Sequence, residues 1–275
     1  MYLATIRTGN TTHAVKRVES DSTTDLLDLG YPDLGALLAD PQGLAKAAAA
    51  TDGTRYALDT ADFAPPVLDP AKVICVAHNY GEHHRVLGVS VPEAPRLSTK
   101  FSSALIGAND PLILPRDAHK MQANVELGII IGSAVGRGSD DAAQAIAGFT
   151  VINDVADRDL GFEFDAWGTA QIWDRSTPTG PWLVTPDELT GGTAPQLTLT
   201  ATVDGTQVQS GQTADLHFDP VHVVRHVARF ADLQPGDVIA TGTPPHTGDP
   251  VYLAAGQTVV TEITGLGVCR STVRV

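Results

Sequence analysis

Polar residues of the types used in catalysis and metal binding occur in four separate segments of the sequence. The first follows the apolar run 73–77 and contains His78, His83 and His84. A neutral imidazole at the end of a strand can accept a proton from a substrate or from water near neutral pH. Three histidines within seven residues fit a solvated loop equally well, so both interpretations of this segment stay open.

The second segment places Asn124 and Glu126 directly before the apolar run 127–131. Residues two apart project from the same face of a strand, so these two side chains are predicted to lie together. A buried carboxylate needs a partner, and a hard cation is a common one. The alternative is a polar strand start that faces water.

The third segment is an unusually charged stretch after the apolar run 149–152. Asp154 could supply another oxygen ligand, and Arg158 could clamp a carboxylate. The alternative role for Asp154 is the N-cap of a helix. The fourth segment, 236–246, is rich in glycine and hydroxyl residues, which is typical of a tight loop that turns backbone amides toward an anion.

Composition excludes several classes of protein. The chain has 275 residues and a formal net charge of −14, which repels phosphate backbones, so nucleic-acid binding is not expected. A small anionic substrate would then need a local cluster of Lys, Arg or metal. The two cysteines, Cys75 and Cys269, cannot form a disulfide framework and are predicted to lie in the core. Because no segment approaches the roughly 18 apolar residues of a membrane span, we expect no membrane association and a cytoplasmic location.

Many short apolar runs separated by Gly, Pro and Asp predict a β-rich α+β fold. The runs predicted as strands are 73–77, 112–114, 127–131, 149–152, 182–184, 197–203, 238–240 and 258–263. Helices are predicted at 33–38, 43–50, 140–147 and 220–230. Prolines at 65, 66 and 70 favour a connector, which divides the chain into a small N-terminal α/β cap, residues 1–68, and a catalytic domain, residues 69–275.

A series of motifs follows in a fixed order along the chain. They are Asn79-Tyr80 with His83, Lys100 before Ser103-Ala104-Leu105, Glu126-Leu127 before Ile131-Gly132, Asn153-Asp154 with Arg158-Asp159, Gly180-Pro181-Trp182, and Pro235-Gly236-Asp237 with Thr241-Gly242-Thr243-Pro244. This order resembles that of the fumarylacetoacetate hydrolase (FAH) superfamily, in particular its short bacterial members, the 2-hydroxyhepta-2,4-diene-1,7-dioate isomerases and acylpyruvases. The resemblance covers about residues 70–275.

The resemblance implies a mixed β-roll core, a homodimer, and Mg²⁺ or Mn²⁺ held by two glutamates spaced E-x-E and a later aspartate. Such a metal would chelate the carboxylate and oxo oxygens of a substrate and stabilise its enolate. Glu126 and Asp154 match two of the ligands, but Asn124 stands where the first glutamate belongs. The ligand set therefore has one negative charge fewer, which predicts weaker metal binding, or no metal site if Asn124 does not ligate.

The resemblance also assigns catalytic roles. His83 would move a proton and Lys100 would stabilise a developing oxyanion. The glutamate that usually partners this histidine is Val86 here, and Gln171 stands where many relatives carry lysine, so an amide donor replaces a charge. The residues assigned to substrate binding are Tyr80, Arg158, Asp174 and Thr243.

Together these residues predict an enzyme that acts on a small-molecule carboxylate: a 2-oxo acid, its enol or a β-dicarbonyl compound. C–C bond hydrolysis, enol–keto isomerisation and decarboxylation all run through the same metal-held enolate, and the broken His–Glu pair favours reactions that need no activated water. The alternative is a diverged metal-independent lyase or cyclase, or a non-catalytic ligand-binding member of the fold.

Overall fold

The computed structural model describes residues 1–19, 23–82, 85, 88, 90–163 and 168–275. Within these ranges strands far outnumber helices, as the short apolar runs predict. The strands are β1 (Tyr2–Thr8), β2 (Thr11–Glu19), β3 (Thr24–Asp28), β4 (Arg55–Ala57), β5 (Asp62–Phe63), β6 (Val73–Ala77), β7 (Arg96–Lys100), β8 (Leu105–Ile106), β9 (Leu112–Ile113), β10 (Met121–Gln122), β11 (Val125–Ile131), β12 (Ile146–Asn153), β13 (Ala156–Asp157), β14 (Thr177–Val184), β15 (Thr198–Val203), β16 (Thr206–Gln212), β17 (Val238–Ala240), β18 (Thr258–Ile263) and β19 (Gly267–Arg274). The α-helices are α1 (Leu34–Ala39), α2 (Gly43–Ala49), α3 (Arg158–Glu163) and α4 (Pro220–Val227).

The main sheet has the strand order β4-β3-β2-β1-β14-β12-β11-β17-β6-β7, with β5 paired to β1 and β8 to β14. A second sheet has the order β16-β15-β18-β19-β9, and β10 pairs with β13. Every residue of β11 and β12 is buried, so these central strands are covered on both faces. Because both faces are covered, their sequence reads as a continuous apolar run rather than an alternating one.

The two faces of the central strands pack against different layers. Leu127 and Ile129 belong to the same apolar cluster as Leu199 and Val259 of the second sheet. On the other face, Ile130 belongs to a cluster that includes helix α1 and Ala47 of α2. The result is a β-rich α+β fold, as predicted.

The helix predicted at 140–147 is wrong. The chain makes a single turn there, closed by a hydrogen bond of 2.9 Å from the Ala145 amide to the Asp141 carbonyl oxygen. Ile146 then pairs with Ile131 and begins β12. Burial of the apolar residues in the central sheet therefore overrides a local preference for helix.

The first 68 residues continue the main sheet. Tyr2 and Leu3 of β1 pair with Val184 and Leu183 of β14. Arg7 bridges to Asp110, with its Nη2 atom 2.7 Å from Asp110 Oδ2. The boundary near residue 68 stays a prediction. In the described part of the chain, no helix has the length and apolar composition that crossing a bilayer requires.

Candidate active site

The register of three antiparallel strands gathers the polar segments at one end of the main sheet. Val125 at the start of β11 pairs with Asn153 at the end of β12. Gly128 of β11 pairs with Ala240, so the loop that follows β17 passes the start of β11. The Thr241 amide donates to the Leu127 carbonyl oxygen, and the Thr243 hydroxyl donates to the Val125 carbonyl oxygen at 2.9 Å. Segments two, three and four of the sequence therefore meet.

Glu126 is the buried carboxylate that this loop binds. Its Oε2 atom accepts a hydrogen bond of 2.7 Å from the Gly242 amide, and the residue is 4% exposed. Gly242 has a φ of +98°, and a Cβ atom there would lie 2.9 Å from the Asn79 Cβ atom, so only glycine fits. The loop does turn an amide toward an anion, as predicted, but that anion belongs to the protein.

Burial and the negative charge of Asp154 raise the pKa of Glu126 well above its usual value. The Gly242 hydrogen bond and the charges of Lys100 and Arg158 lower it in part. Burial and the charge of Asp154 also raise the pKa of the Cys75 thiol.

Lys100 and Asp154 form a buried ion pair. The Nζ atom of Lys100 lies 2.7 Å from Oδ1 of Asp154, and their side chains are 1% and 7% exposed. The same ammonium donates to the backbone carbonyl oxygens of Gln171 and Val155. The side-chain oxygen of Gln171 accepts a long hydrogen bond of 3.5 Å from the Ser98 hydroxyl. Gln171 therefore reaches the lysine through its main chain.

Asn124 is held by donors and acceptors that fix the orientation of its amide. Its Nδ2 atom donates to the Asp154 carbonyl oxygen at 2.7 Å, and its Oδ1 atom accepts from Nη2 of Arg158 at 2.8 Å. A carbonyl can only accept and a guanidinium can only donate, so the oxygen must face Arg158. Nε2 of His246 lies 3.3 Å from the same oxygen. Arg158 in turn donates from Nε to Oε1 of Gln122 at 2.7 Å.

The contacts of Asn124 do not fit a three-oxygen site for Mg²⁺ or Mn²⁺, although Oδ1 of Asp154 is buried without a hydrogen bond from the described residues. Two nitrogens already surround the carbonyl oxygen of Asn124, and Oδ1 of Asp154 faces the ammonium of Lys100. Among the described residues no three His, Cys, Asp or Glu side chains converge as a metal-binding group. Glu126 and Asp154 remain predicted ligands, without the third oxygen that the resemblance requires.

The local alternatives for these residues do not hold. Asn124 and Glu126 are 3% and 4% exposed, so they are not a strand start that faces water. Helix α3 begins beyond Asp154, and it is Asp157 whose carboxylate accepts a hydrogen bond from a first-turn amide, that of Asp159.

The remaining predicted site residues have different surroundings. The phenol of Tyr80 is buried and has no hydrogen-bond partner among the described residues, and burial and the charge of Glu126 raise its pKa. Thr243 lies within the cluster, and its hydroxyl accepts from Nε2 of Gln209 at 2.8 Å. Asp174 is exposed and accepts a hydrogen bond from the Ser103 hydroxyl. His83, like Val86, lies outside the described residues.

Three residues that hold the site together were not predicted from the sequence: Gln122, Gln209 and His246. Oε1 of Gln209 accepts from the Val125 amide at 2.9 Å, and the residue is fully buried. Gln122 could have been found, because it precedes Asn124 by two residues, a spacing that favours a shared side. His246 and Gln209 carry no comparable signal.

The strand ends bring two carboxylates and two cations together inside a β-rich protein, an arrangement that is typical of a functional site. The particular family follows from comparison with known proteins. Residues 72–274 match the model of the fumarylacetoacetate (FAA) hydrolase C-terminal family, and the chain belongs to the FAH superfamily.

The chain is similar to an oxaloacetate tautomerase from mitochondria of Bos taurus, with 38% identity over 216 residues, 75% of this chain and 67% of the relative. Among solved structures it is similar to the 5-carboxymethyl-2-hydroxymuconate delta-isomerase of Mycobacterium smegmatis, with 29% identity, a TM-score of 0.83 and 99% of both chains covered. The 2-hydroxyhepta-2,4-diene-1,7-dioate isomerase of Mycobacterium marinum gives 27% identity and a TM-score of 0.78, covering 99% of this chain and 98% of that one.

Proposed function

We propose that this FAH-family enzyme interconverts the enol and keto forms of a small 2-oxo acid. The supporting observation is the buried cluster in which Lys100 pairs with Asp154 while Arg158 donates to the neutral amide oxygens of Gln122 and Asn124. Enol–keto exchange needs a group that binds the substrate carboxylate and a positive charge near the oxygen that becomes negative. The cluster supplies candidates for both.

Each residue has a proposed role. Arg158 binds the carboxylate, Lys100 stabilises the enolate oxygen, and His83 carries the proton between carbon and oxygen. Tyr80 and Thr243 line the substrate site near Glu126 and Gln209. Gln171 and Asp174 contact the bound substrate from the segment that bonds to Lys100 and Ser103.

The residue at position 86 favours proton transfer over hydrolysis. Val86 stands where the family places the glutamate partner of the histidine, and a histidine without a carboxylate partner is a poorer base for activating water. Proteins named as a tautomerase and as isomerases are among those similar to this chain, beside proteins named as putative hydrolases. We also propose a cytoplasmic homodimer, which size-exclusion chromatography coupled to light scattering tests.

The rate of ketonisation is measured from the decrease in enol absorbance of oxaloacetate and of a 2-hydroxymuconate-type acid. The protein is assayed in EDTA and again with Mg²⁺ or Mn²⁺. We expect the protein to accelerate ketonisation of at least one acid, and His83→Gln to remove most of that acceleration. His222→Gln is the matched control, since His222 is an exposed histidine of α4 outside the site. No acceleration in any condition, or C–C cleavage products in place of the keto acid, would contradict the proposal.

A further inference from the structure

The guanidinium of Arg158 is oriented by two hydrogen bonds in a way that suits binding of an anion. Its Nε atom donates to Gln122 and its Nη2 atom donates to Asn124, and both acceptors are neutral amides. The described residues give its Nη1 atom no hydrogen bond. Among the described residues no carboxylate lies in direct contact with this guanidinium, and its planar donors are held in one orientation, which favours recognition of a carboxylate.

The site contains as many basic side chains as acidic ones among Glu126, Asp154, Lys100 and Arg158. Glu126 and Asp154 carry two formal negative charges, and Lys100 and Arg158 carry two positive ones. A glutamate at position 124 would add a third negative charge next to Arg158. That charge would neutralise the guanidinium and leave an excess of carboxylate for a divalent cation to bind.

We propose that this protein binds the carboxylate of its substrate directly through Arg158, with no divalent ion, and that Asn124 is the residue that determines this. The inference rests on the proposed function for the kind of substrate, a 2-oxo acid. Asn124 acts as a positioning residue: its oxygen orients the guanidinium without neutralising it, and its Nδ2 atom ties that oxygen to the main chain at Asp154.

The test is calorimetric titration of the metal-stripped protein with oxalate, a stable mimic of a 2-oxo acid enolate. We expect oxalate to bind in EDTA with an affinity that Mg²⁺ or Mn²⁺ at millimolar concentration does not raise. Arg158→Gln is expected to weaken oxalate binding about tenfold or more, as for loss of a charged hydrogen bond. Circular dichroism shows whether this variant is folded.

A matched pair of variants at position 124 separates charge from shape. Asn124→Glu and Asn124→Gln have the same length and differ in charge alone. We expect Asn124→Glu to bind oxalate about tenfold more weakly in EDTA than Asn124→Gln, because the new carboxylate competes for Arg158. We also expect Asn124→Glu alone to bind Mn²⁺, since it restores three carboxylates. If Asn124 had a structural role alone, both variants would lose oxalate affinity to the same extent, and neither would gain Mn²⁺ binding.

Oxalate binding with and without metal separates support for the proposal from its refutation. Oxalate binding in EDTA that depends on Arg158 supports the proposal. Binding of oxalate that requires Mg²⁺ or Mn²⁺ in the wild type overturns it, as does an absence of oxalate binding in every condition or full binding by folded Arg158→Gln. A protein that isomerises oxaloacetate only with metal would refute this inference and keep the proposed function. A protein that binds oxalate in EDTA through Arg158 but isomerises no 2-oxo acid would support this inference and refute the proposed function.

Discussion

At the scale of single residues, the ion pair between Lys100 and Asp154 is the most deeply buried among the described residues. Removing one partner leaves the other charge buried and alone, so we expect Lys100→Met to cost about 3–5 kcal/mol of unfolding free energy. In the double variant Lys100→Met/Asp154→Asn both charges are gone, and part of this loss is expected to return. Urea unfolding of the wild type, both single variants and the double variant measures the coupling.

The control for this prediction is Lys46→Met, which removes an exposed lysine that lies 2.5 Å from Asp40. An exposed pair contributes far less than a buried one, so its loss is expected to change stability little. A loss in the double variant equal to the sum of the two single losses would show that the two buried charges do not stabilise each other.

At the scale of elements, Asn79 ties the end of β6 to the segments around α4 and β17. Its Nδ2 atom donates to the carbonyl oxygens of Phe218 and Thr241 at 3.0 and 2.8 Å, and its Oδ1 atom accepts from the Phe218 amide. The Asn79 side chain is fully buried. Asn79→Ala leaves three main-chain groups without these partners, and we expect it to cost about 3 kcal/mol or more.

The same unfolding measurement on Asn109→Ala provides the comparison, because Asn109 is exposed in a turn and its loss is expected to change stability by about 0.5 kcal/mol or less. Asn79→Asp keeps the shape and loses the two donors, so it is also expected to be destabilised. A stable Asn79→Asp variant would mean that the donors do not hold the three elements together.

At the scale of the whole molecule, Trp182 reports on how the first 68 residues pack against the rest. Its ring centroid lies 6.1 Å from that of Tyr2 and 5.1 Å from that of Phe63. Because β1 also pairs with β14, we expect one cooperative transition in which tryptophan fluorescence and far-ultraviolet circular dichroism have the same urea midpoint.

The measurement is clearest in a Trp167→Phe/Trp173→Phe background, in which Trp182 is the sole tryptophan. Coincident midpoints would mean that residues 1–68 unfold with the catalytic part of the chain. A fluorescence transition at lower urea would instead support a separate N-terminal domain with a boundary near residue 68.

The central strands and the meeting of Glu126 with Asp154 could be predicted from the sequence. Continuous apolar runs specify strands that are buried on both faces, and polar residues at their ends lie at an edge of the sheet. The error at 140–147 arose because that short stretch has helical composition, whereas the chain makes a single turn over 141–145 and enters β12 at Ile146, which pairs with Ile131. Local preference is weak compared with burial in a central strand.

The sequence by itself determined the family, the β-rich fold and the chemical types of the site residues, since these depend on composition and on the order of motifs. Only the tertiary structure decided which charges meet. Lys100 ends β7, and three inter-strand steps separate β7 from β11, roughly 14 Å in a flat sheet. Lys100 nevertheless contacts Asp154, whose backbone amide donates to the carbonyl oxygen of Asn124, the residue before β11. The sheet must curl for this contact to form, and no spacing along the chain encodes that curvature. The orientation of Asn124 toward Arg158 was likewise fixed by partners distant in sequence.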